Sequence, residues 1–297
     1  MPDMGMPTSV TDDFAVAEDA CAKINLALHV TGQRADGYHL LEMLVTFARH
    51  GDRLGFAPAD ADDFTLSGQF ADVLAEDPGT NLVLKARDLL REAAGGAPPV
   101  RIHLEKNLPV ASGIGGGSAD AAATLRGLLR LWGVTLPSET VAGLALKLGA
   151  DVPMCLKSTP LIARGIGEKI ETADTLPSFA MVLANPLKGV STPEIFRRLV
   201  TKNNPPLVLK KTPHWMEAIR TTRNDLEMPA RELVPEIAEI SNMLAAEGAL
   251  FTRMSGSGAT CFGIFETPVA ALRAAERLHA ARPDWYFQST ETFAGGA

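Results

Sequence analysis

A glycine-dense loop that runs straight into an apolar-striped segment, between Pro109 and Trp132, constrains this chain more than any other feature. Gly113, Gly115, Gly116 and Gly117 leave four residues of one short loop without a Cβ, so its backbone can take positive φ and approach a ligand closely. Ser118 has the position and chemistry of an N-cap, and Asp120 falls in the first turn. Leu125, Leu128, Leu129 and Trp132 then recur at i, i+3, i+4 and i+7, the stripe of a buried helix. A loop of amides leading into a helix N-terminus suits a phosphate, because free N–H groups and the positive end of the helix dipole face the ligand. A P-loop is excluded, since no lysine precedes Ser118, and a dinucleotide fingerprint would need a third glycine at that position. Glycine spacing alone leaves a flexible structural turn open beside the anion cradle.

The rest of the chain bounds what such a cradle can serve. With 297 residues, 46% of them hydrophobic, it can build one large or two ordinary cores. A net charge of −7, with no basic run beyond Arg197-Arg198 and Lys210-Lys211, argues against a nucleic-acid binder or a membrane-surface protein. An anionic ligand must therefore be met locally. The three cysteines, Cys21, Cys155 and Cys261, are widely spaced and form no Cys-x-x-Cys pair, which points to a reducing, cytoplasmic setting and gives no zinc signature. Met1 to Ala20 carries acidic residues and no signal-peptide pattern, and reads as a loose arm.

From Cys21 to Val30 the residues alternate as in a strand, with Ala22, Ile24, Leu26, Leu28 and Val30 on one face and Lys23, Asn25, Ala27 and His29 on the other. Lys23 and Asn25 stand side by side, on a solvated outer face or at a site. Turn chemistry at Gly32 and Asp36-Gly37 leads into a second strand through Leu41, Met43, Val45 and Phe47. Tyr38 and His39 open that strand; Tyr38 reads equally as a stacking platform or as rim packing. Asn81 caps a predicted helix to Ala93. Asp151, after Gly149 and before Pro153, has N-cap spacing, and Phe196 lies one turn along a short helix opened by Thr192-Pro193, where core packing would also explain it. Ala249 to Phe265 reads as strand, glycine loop and strand, and Thr267-Pro268 starts a last helix to about Ala281. The whole is an α+β pattern.

The run from Lys106 through Pro109 and the glycines to Ala122 resembles the phosphate-binding motif of the GHMP kinase superfamily, which includes galactokinase, homoserine kinase and mevalonate kinase. Ala22 to His39 is similar to the family's first motif, and Arg253 to Cys261 to its third, a glycine loop that buttresses the first one against the nucleotide phosphates. The element Ala35 to His39 resembles the one that, in the family, sets apart the branch acting on a cytidine diphosphate sugar alcohol. This resemblance implies a two-domain α+β kinase, with a ribosomal-protein-S5-domain-2-like domain over 21–165 and a ferredoxin-like domain over 166–297.

Its implied activity is transfer of the γ-phosphoryl group of ATP, with Mg2+, to a hydroxyl of that substrate in non-mevalonate isoprenoid precursor synthesis. The implied catalytic pair is Lys23 and Asp151. Asn81, Lys106, Pro109, Gly113, Gly115, Gly116, Gly117 and Ser118 would meet the nucleotide. Asn25, Tyr38, His39, Asp151 and Phe196 would meet the substrate, with Tyr38 and Phe196 stacked on the two faces of the cytosine and His39 reading its edge. Where the family often has a second serine the chain has Ala119, and no acidic cluster marks a magnesium ligand, so the metal would be carried chiefly by the nucleotide. The alternatives are another small-molecule GHMP kinase, of homoserine or mevalonate type, and a non-catalytic nucleotide-binding regulator.

Overall fold

A computed structural model of the chain describes residues 14–75, 81–209 and 214–296. The N-terminal half comprises β1 (Val16–Gln33), β2 (His39–Pro58), β3 (Asp63–Ser67), α1 (Ala71–Ala75), α2 (Leu82–Ala93), β4 (Val100–Glu105), α3 (Gly116–Trp132), α4 (Ser138–Leu148), α5 (Val152–Lys157), β5 (Leu161–Gly165) and β6 (Lys169–Thr172). The C-terminal half follows with β7 (Ala180–Asn185), α6 (Thr192–Arg198), α7 (Trp215–Arg220), α8 (Glu227–Leu233), α9 (Glu236–Ala246), β8 (Phe251–Met254), β9 (Cys261–Phe265), α10 (Pro268–Ala281) and β10 (Tyr286–Glu291). Strand β1 begins at Val16, inside the segment expected as a loose arm; residues 1–13 of that arm, and Lys210-Lys211, lie outside the described residues.

The long strand β2 organises the first sheet, whose order is β3-β4-β2-β5-β6 with β1 also on β2. Its first half pairs β5 over Leu41–Val45 and its second half pairs β4 over Arg53–Pro58, all antiparallel. Because β6 pairs β5 through Lys169 to Thr172, this sheet continues past the expected domain boundary at 165. Leu125 and Leu128 of α3 are buried in one core cluster with Phe47, Phe56 and Leu104, while Leu129 and Trp132, also expected in the stripe, are only partly buried.

The second sheet is antiparallel with order β10-β7-β9-β8, the ferredoxin-like arrangement. Period-2 alternation assigns its two faces. Val182, Ala184, Cys261 and Phe265 pack with α9 and α10 through Ile240, Ala271 and Leu278. Met181, Leu183, Phe262 and Ile264 cluster instead with Ala22, Ile24 and Leu26 of β1. One face of β1 is thus the floor on which the second sheet rests, and the opposite face, expected to be either solvated or a site, is buried as well: Lys23 is 3% exposed and Asn25 0%. Backbone bonds from Leu28 N to Arg223 O and from Phe293 N to Phe47 O, each 2.9 Å, tie the halves together along this seam.

Candidate active site

The site lies where β1 passes under two glycine loops. Lys23 N donates to Ile114 O at 2.9 Å, and a Cβ at Gly115 would stand 3.2 Å from Lys23 Cβ, so the loop rests on the lysine stem. Gly113 has φ +78° and no room for a side chain, with Ser255 O 2.6 Å from where its Cβ would be. The loop of residues 255–258 closes over it. Ser255 Oγ donates to Gly113 O at 3.2 Å and accepts from Asn25 N at 3.0 Å, Thr260 N reaches Ser112 O at 3.1 Å, and Asn224 Nδ2 holds the outer loop through Met254 O and Gly256 O at 2.8 Å each. Two flexible-looking sequences brace each other.

The expected capping residue moves. Gly115, in the left-handed region at φ 67°, takes the N-cap place of α3, and Ser118 is the third helical residue; Asp120, expected in the first turn, is the fifth. The reason is that only a glycine takes this φ cheaply, so the helix starts as soon as the turn is made. The N–H groups of Gly116, Gly117 and Ser118 are therefore the ones left outside the helical ladder, and no acidic side chain lies in that first turn.

Facing these amides, Lys23 Nζ donates to Asn25 Oδ1 at 3.0 Å and lies 3.0 Å from Asp151 Oδ2. Asp151 stands at the N-cap place of α5, yet its side chain makes no cap bond. The carboxylate is spent on Lys23 instead of on the helix. Asn25 Nδ2 is buried without a partner among the described residues. An unmet buried donor costs roughly 1–3 kcal/mol, and an acceptor on a ligand would recover it.

Three adjoining cavities bring the expected residues together. A cleft of about 340 Å³ is lined by Lys23, Asn25, Asp151, Phe196 and the loop from Gly113 to Ser118. A smaller cavity of about 190 Å³ shares Gly116 and Gly117 with it and is lined by Asn81, Lys106 and Pro109. Asn81 is in addition the cap of α2, accepting from Val83 N at 2.9 Å. Lys106 differs from expectation. Rather than reaching freely for a nucleotide, Nζ is clamped between Asp52 Oδ2 at 2.5 Å and Asp120 Oδ2 at 2.7 Å, all three side chains 4% exposed or less. Burial opposes its charge, but the two carboxylates outweigh it and hold the lysine above its ordinary value. Burial and then the charge of Asp52 push the Asp120 carboxyl well upward, and its Oδ1 has no partner among the described residues.

The third cavity, about 600 Å³, is lined by Tyr38, His39 and Phe196 and adjoins the first through Leu41, Thr192 and Phe196. Its aromatic arrangement departs from the expected sandwich: the His39 ring stacks on Phe196, centroids 4.4 Å apart at 19°, while Tyr38 is 59% exposed at the rim. Phe196 lies one turn into α6 as expected, though the N-cap is Ser191 and the Thr192 hydroxyl pairs with Ser257 Oγ at 2.7 Å.

Residues 81–159 match the family model described as GHMP kinases N terminal domain, and residues 206–284 the one described as GHMP kinases C terminal. The 4-diphosphocytidyl-2-C-methyl-D-erythritol kinase of Rhizobium etli is 71% identical over 297 residues, covering 100% of both chains. The protein of the same name from Agrobacterium fabrum is 61% identical, over 93% of this chain and 95% of its own. A crystal structure of 4-(cytidine 5'-diphospho)-2C-methyl-D-erythritol kinase superposes with TM-score 0.80 at 35% identity, covering 94% of this chain and 100% of that one. Homoserine kinase from Cytophaga hutchinsonii shares the fold, with TM-score 0.68 at 17% identity over 97% of this chain and 98% of its own.

Proposed function

The chain belongs to the 4-diphosphocytidyl-2-C-methyl-D-erythritol kinases of the GHMP kinase family, and we propose that the residues gathered between its two sheets carry out that reaction at the substrate's 2-hydroxyl. It is an ATP-dependent phosphotransferase of isoprenoid precursor synthesis. The homoserine and mevalonate types are related to it only at 17% and 14% identity in the structures compared.

Phosphoryl transfer is governed by positioning and by stabilisation of charge on the transferring group. The amides of Gly116, Gly117 and Ser118 and the dipole of α3 would hold the nucleotide phosphates. Asp151 would take the proton of the attacking hydroxyl on Oδ1, since Oδ2 is engaged by Lys23. Lys23, bonded to Asn25 and Asp151 together, fixes both relative to the loop. Asn25 Nδ2, the unmet donor, would orient the substrate. The observation that carries this reading is Lys23 Nζ at 3.0 Å from both Asn25 Oδ1 and Asp151 Oδ2, directly below the glycine loop.

Magnesium enters the proposal as the ion that arrives on ATP. No group of three or more His, Cys, Asp or Glu side chains suited to a metal is present among the described residues, and the Ser118 hydroxyl on the cleft wall fits an ion that keeps most of its ligands from phosphate and water. It would neutralise charge on the phosphates. No described helix is long and apolar enough to cross a membrane. The three cysteines are buried and unpaired, which supports a cytoplasmic setting.

The test is phosphorus NMR of the protein with MgATP and 4-diphosphocytidyl-2-C-methyl-D-erythritol, with homoserine and mevalonate in parallel. A phosphomonoester signal with the cytidine compound alone is expected. A signal with a parallel substrate instead would overturn the cytidine reading, and ATP binding without any product would favour a non-catalytic role.

A further inference from the structure

Nothing on its own helix aims the Asp151 carboxylate. It makes no cap bond, its one polar partner among the described residues is Lys23 Nζ at 3.0 Å, and the side chain is 39% exposed. Its place therefore depends on how the backbone of residues 149–152 is held. Along the chain α5 holds it, with Cys155 N donating to Asp151 O at 3.1 Å. Through space the turn between β5 and β6 does so. Gly167 in that turn is buried with φ +114°, and a Cβ there would be 3.1 Å from Ala150 O and 3.5 Å from Met154 Cε of α5. Ala150 O belongs to the peptide bond that leads into Asp151, so the turn rests directly on the backbone of the base.

Glu168 ties that turn. Its Oε2 accepts from Ile166 N at 2.6 Å, a short charge-assisted bond, while the turn's own backbone bond, from Gly167 N to Arg164 O, is 3.3 Å. Gly165, at φ +78°, makes room for it, since a side chain there would collide with the Glu168 carboxylate. A cavity of about 570 Å³ is lined by Pro153 and Leu156 of α5 together with Glu168 and Ile170, so side chains do not fill the space between α5 and β6. The Gly167 contact braces the start of α5 in their place.

We propose that Glu168 is a positioning residue for phosphoryl transfer: by closing the turn of residues 165–168 onto Ala150 it holds Asp151 where its carboxylate meets both Lys23 and the attacking hydroxyl. This rests on the reading of Asp151 as the base. Glu168 touches neither substrate nor nucleotide in this arrangement and acts through the backbone alone. A displacement of about 1 Å at a reacting group can cost on the order of a hundredfold in rate, so a loosened turn is felt in the transfer step before it is felt in binding. Ala150 and Ile166 also line the cavity of Tyr38 and His39, and a role in holding the substrate there would appear in KM instead.

The experiment measures kcat, KM for ATP and for the cytidine substrate, and the urea midpoint. The proteins are the wild type, Glu168→Ala, Glu168→Gln, Gly167→Ala, Asp151→Asn and the double variant Asp151→Asn/Glu168→Ala. Glu168→Ala is expected to lower kcat about tenfold with both KM values and the urea midpoint unmoved. Glu168→Gln, whose amide oxygen still accepts from Ile166 N, should keep most of kcat, and Gly167→Ala should lower it at least as far as Glu168→Ala. In the Asp151→Asn background the loss of Glu168 should cost nothing more, because it acts through that carboxylate. Unchanged kcat in Glu168→Ala, a change confined to KM, or the same fold-loss in both backgrounds would overturn the proposal. Near-normal turnover in Asp151→Asn would overturn the base reading and this proposal with it, whereas a slow Asp151→Asn beside a Glu168→Ala of wild-type kcat would overturn the proposal alone.

Discussion

Lys106 Nζ lies 2.7 Å from Asp120 Oδ2 and 2.5 Å from Asp52 Oδ2, in a buried triad under the glycine loop. Asp52 Oδ1 also accepts from Asn107 N at 2.6 Å and Leu108 N at 2.8 Å, so the triad joins β2, the segment entering the loop and the first part of α3. Removing the cation would leave two carboxylates facing each other out of water. Breaking a buried pair from one side typically costs about 3–5 kcal/mol. Lys106→Met should lose stability on that scale in urea unfolding, and Asp120→Asn less than half as much, because burial and Asp52 already push the Asp120 carboxyl towards its neutral form. If Lys106→Met kept its stability and only KM for ATP rose, the lysine would be a nucleotide contact instead.

Asp151→Asn keeps the shape of the side chain and removes the proton acceptor. Turnover is expected to fall on the order of a hundredfold or more, while ATP binding, which depends on the α3 amides, survives. Single-turnover measurements with bound nucleotide separate the two effects. Near-normal turnover in this variant would remove Asp151 from the role of base.

How the site could be read in advance depends on range along the chain. The alternation of β1, the helix after the glycines and the Asn81 and Thr267 caps are local patterns, and the structure carries them: Thr267 accepts from Ala270 N at 3.1 Å. Strands β7 and β10 escaped notice. Six-residue stretches such as Ala180–Asn185 and Tyr286–Glu291 are strands because they pair with each other, residue 286 against 185, and nothing local fixes that register. The Asp52–Lys106–Asp120 triad has the same cause, since its members come from three elements separated along the sequence. No local pattern marks it, since Asp52 stands in β2 among the charged and polar positions Arg49, His50 and Arg53.

The His39–Phe196 stack changes what substitution of the aromatic wall should do. With the rings 4.4 Å apart, a cytosine on Phe196 must take the face that His39 now covers, or the opposite one. Either way Phe196 supplies one platform, and stacking contributes about 1–3 kcal/mol per base by alanine substitution. Phe196→Ala should raise KM for the cytidine substrate roughly tenfold or more and leave KM for ATP alone. Tyr38→Ala, at an exposed rim, should have the smaller effect of the two. A change confined to KM for ATP would mean that the base lies elsewhere.

His29 gives the seam between the two halves a pH dependence whose sign follows from its bonds. Its Nε2 accepts from Arg223 N at 3.3 Å, so the neutral ring carries its proton on Nδ1, which donates to Pro205 O at 3.2 Å. Protonating Nε2 would set an N–H against an N–H, next to the Arg223 guanidinium. Burial first, and Arg223 second, accordingly hold His29 below the ordinary value of 6.5. Between its folded value and 6.5 the unfolded chain binds more protons than the folded one. The stability is therefore complete above that range and is lost as pH falls through it, at no more than about 1.4 kcal/mol per pH unit for one histidine. Urea midpoints measured from pH 7.5 down to 5 should decline, and His29→Asn, whose amide can still donate to Pro205 O but does not titrate, should decline less steeply. Parallel curves for the two proteins would show that the acid sensitivity arises at other buried groups, such as His103 between Thr65 and Ser67, and not at this seam.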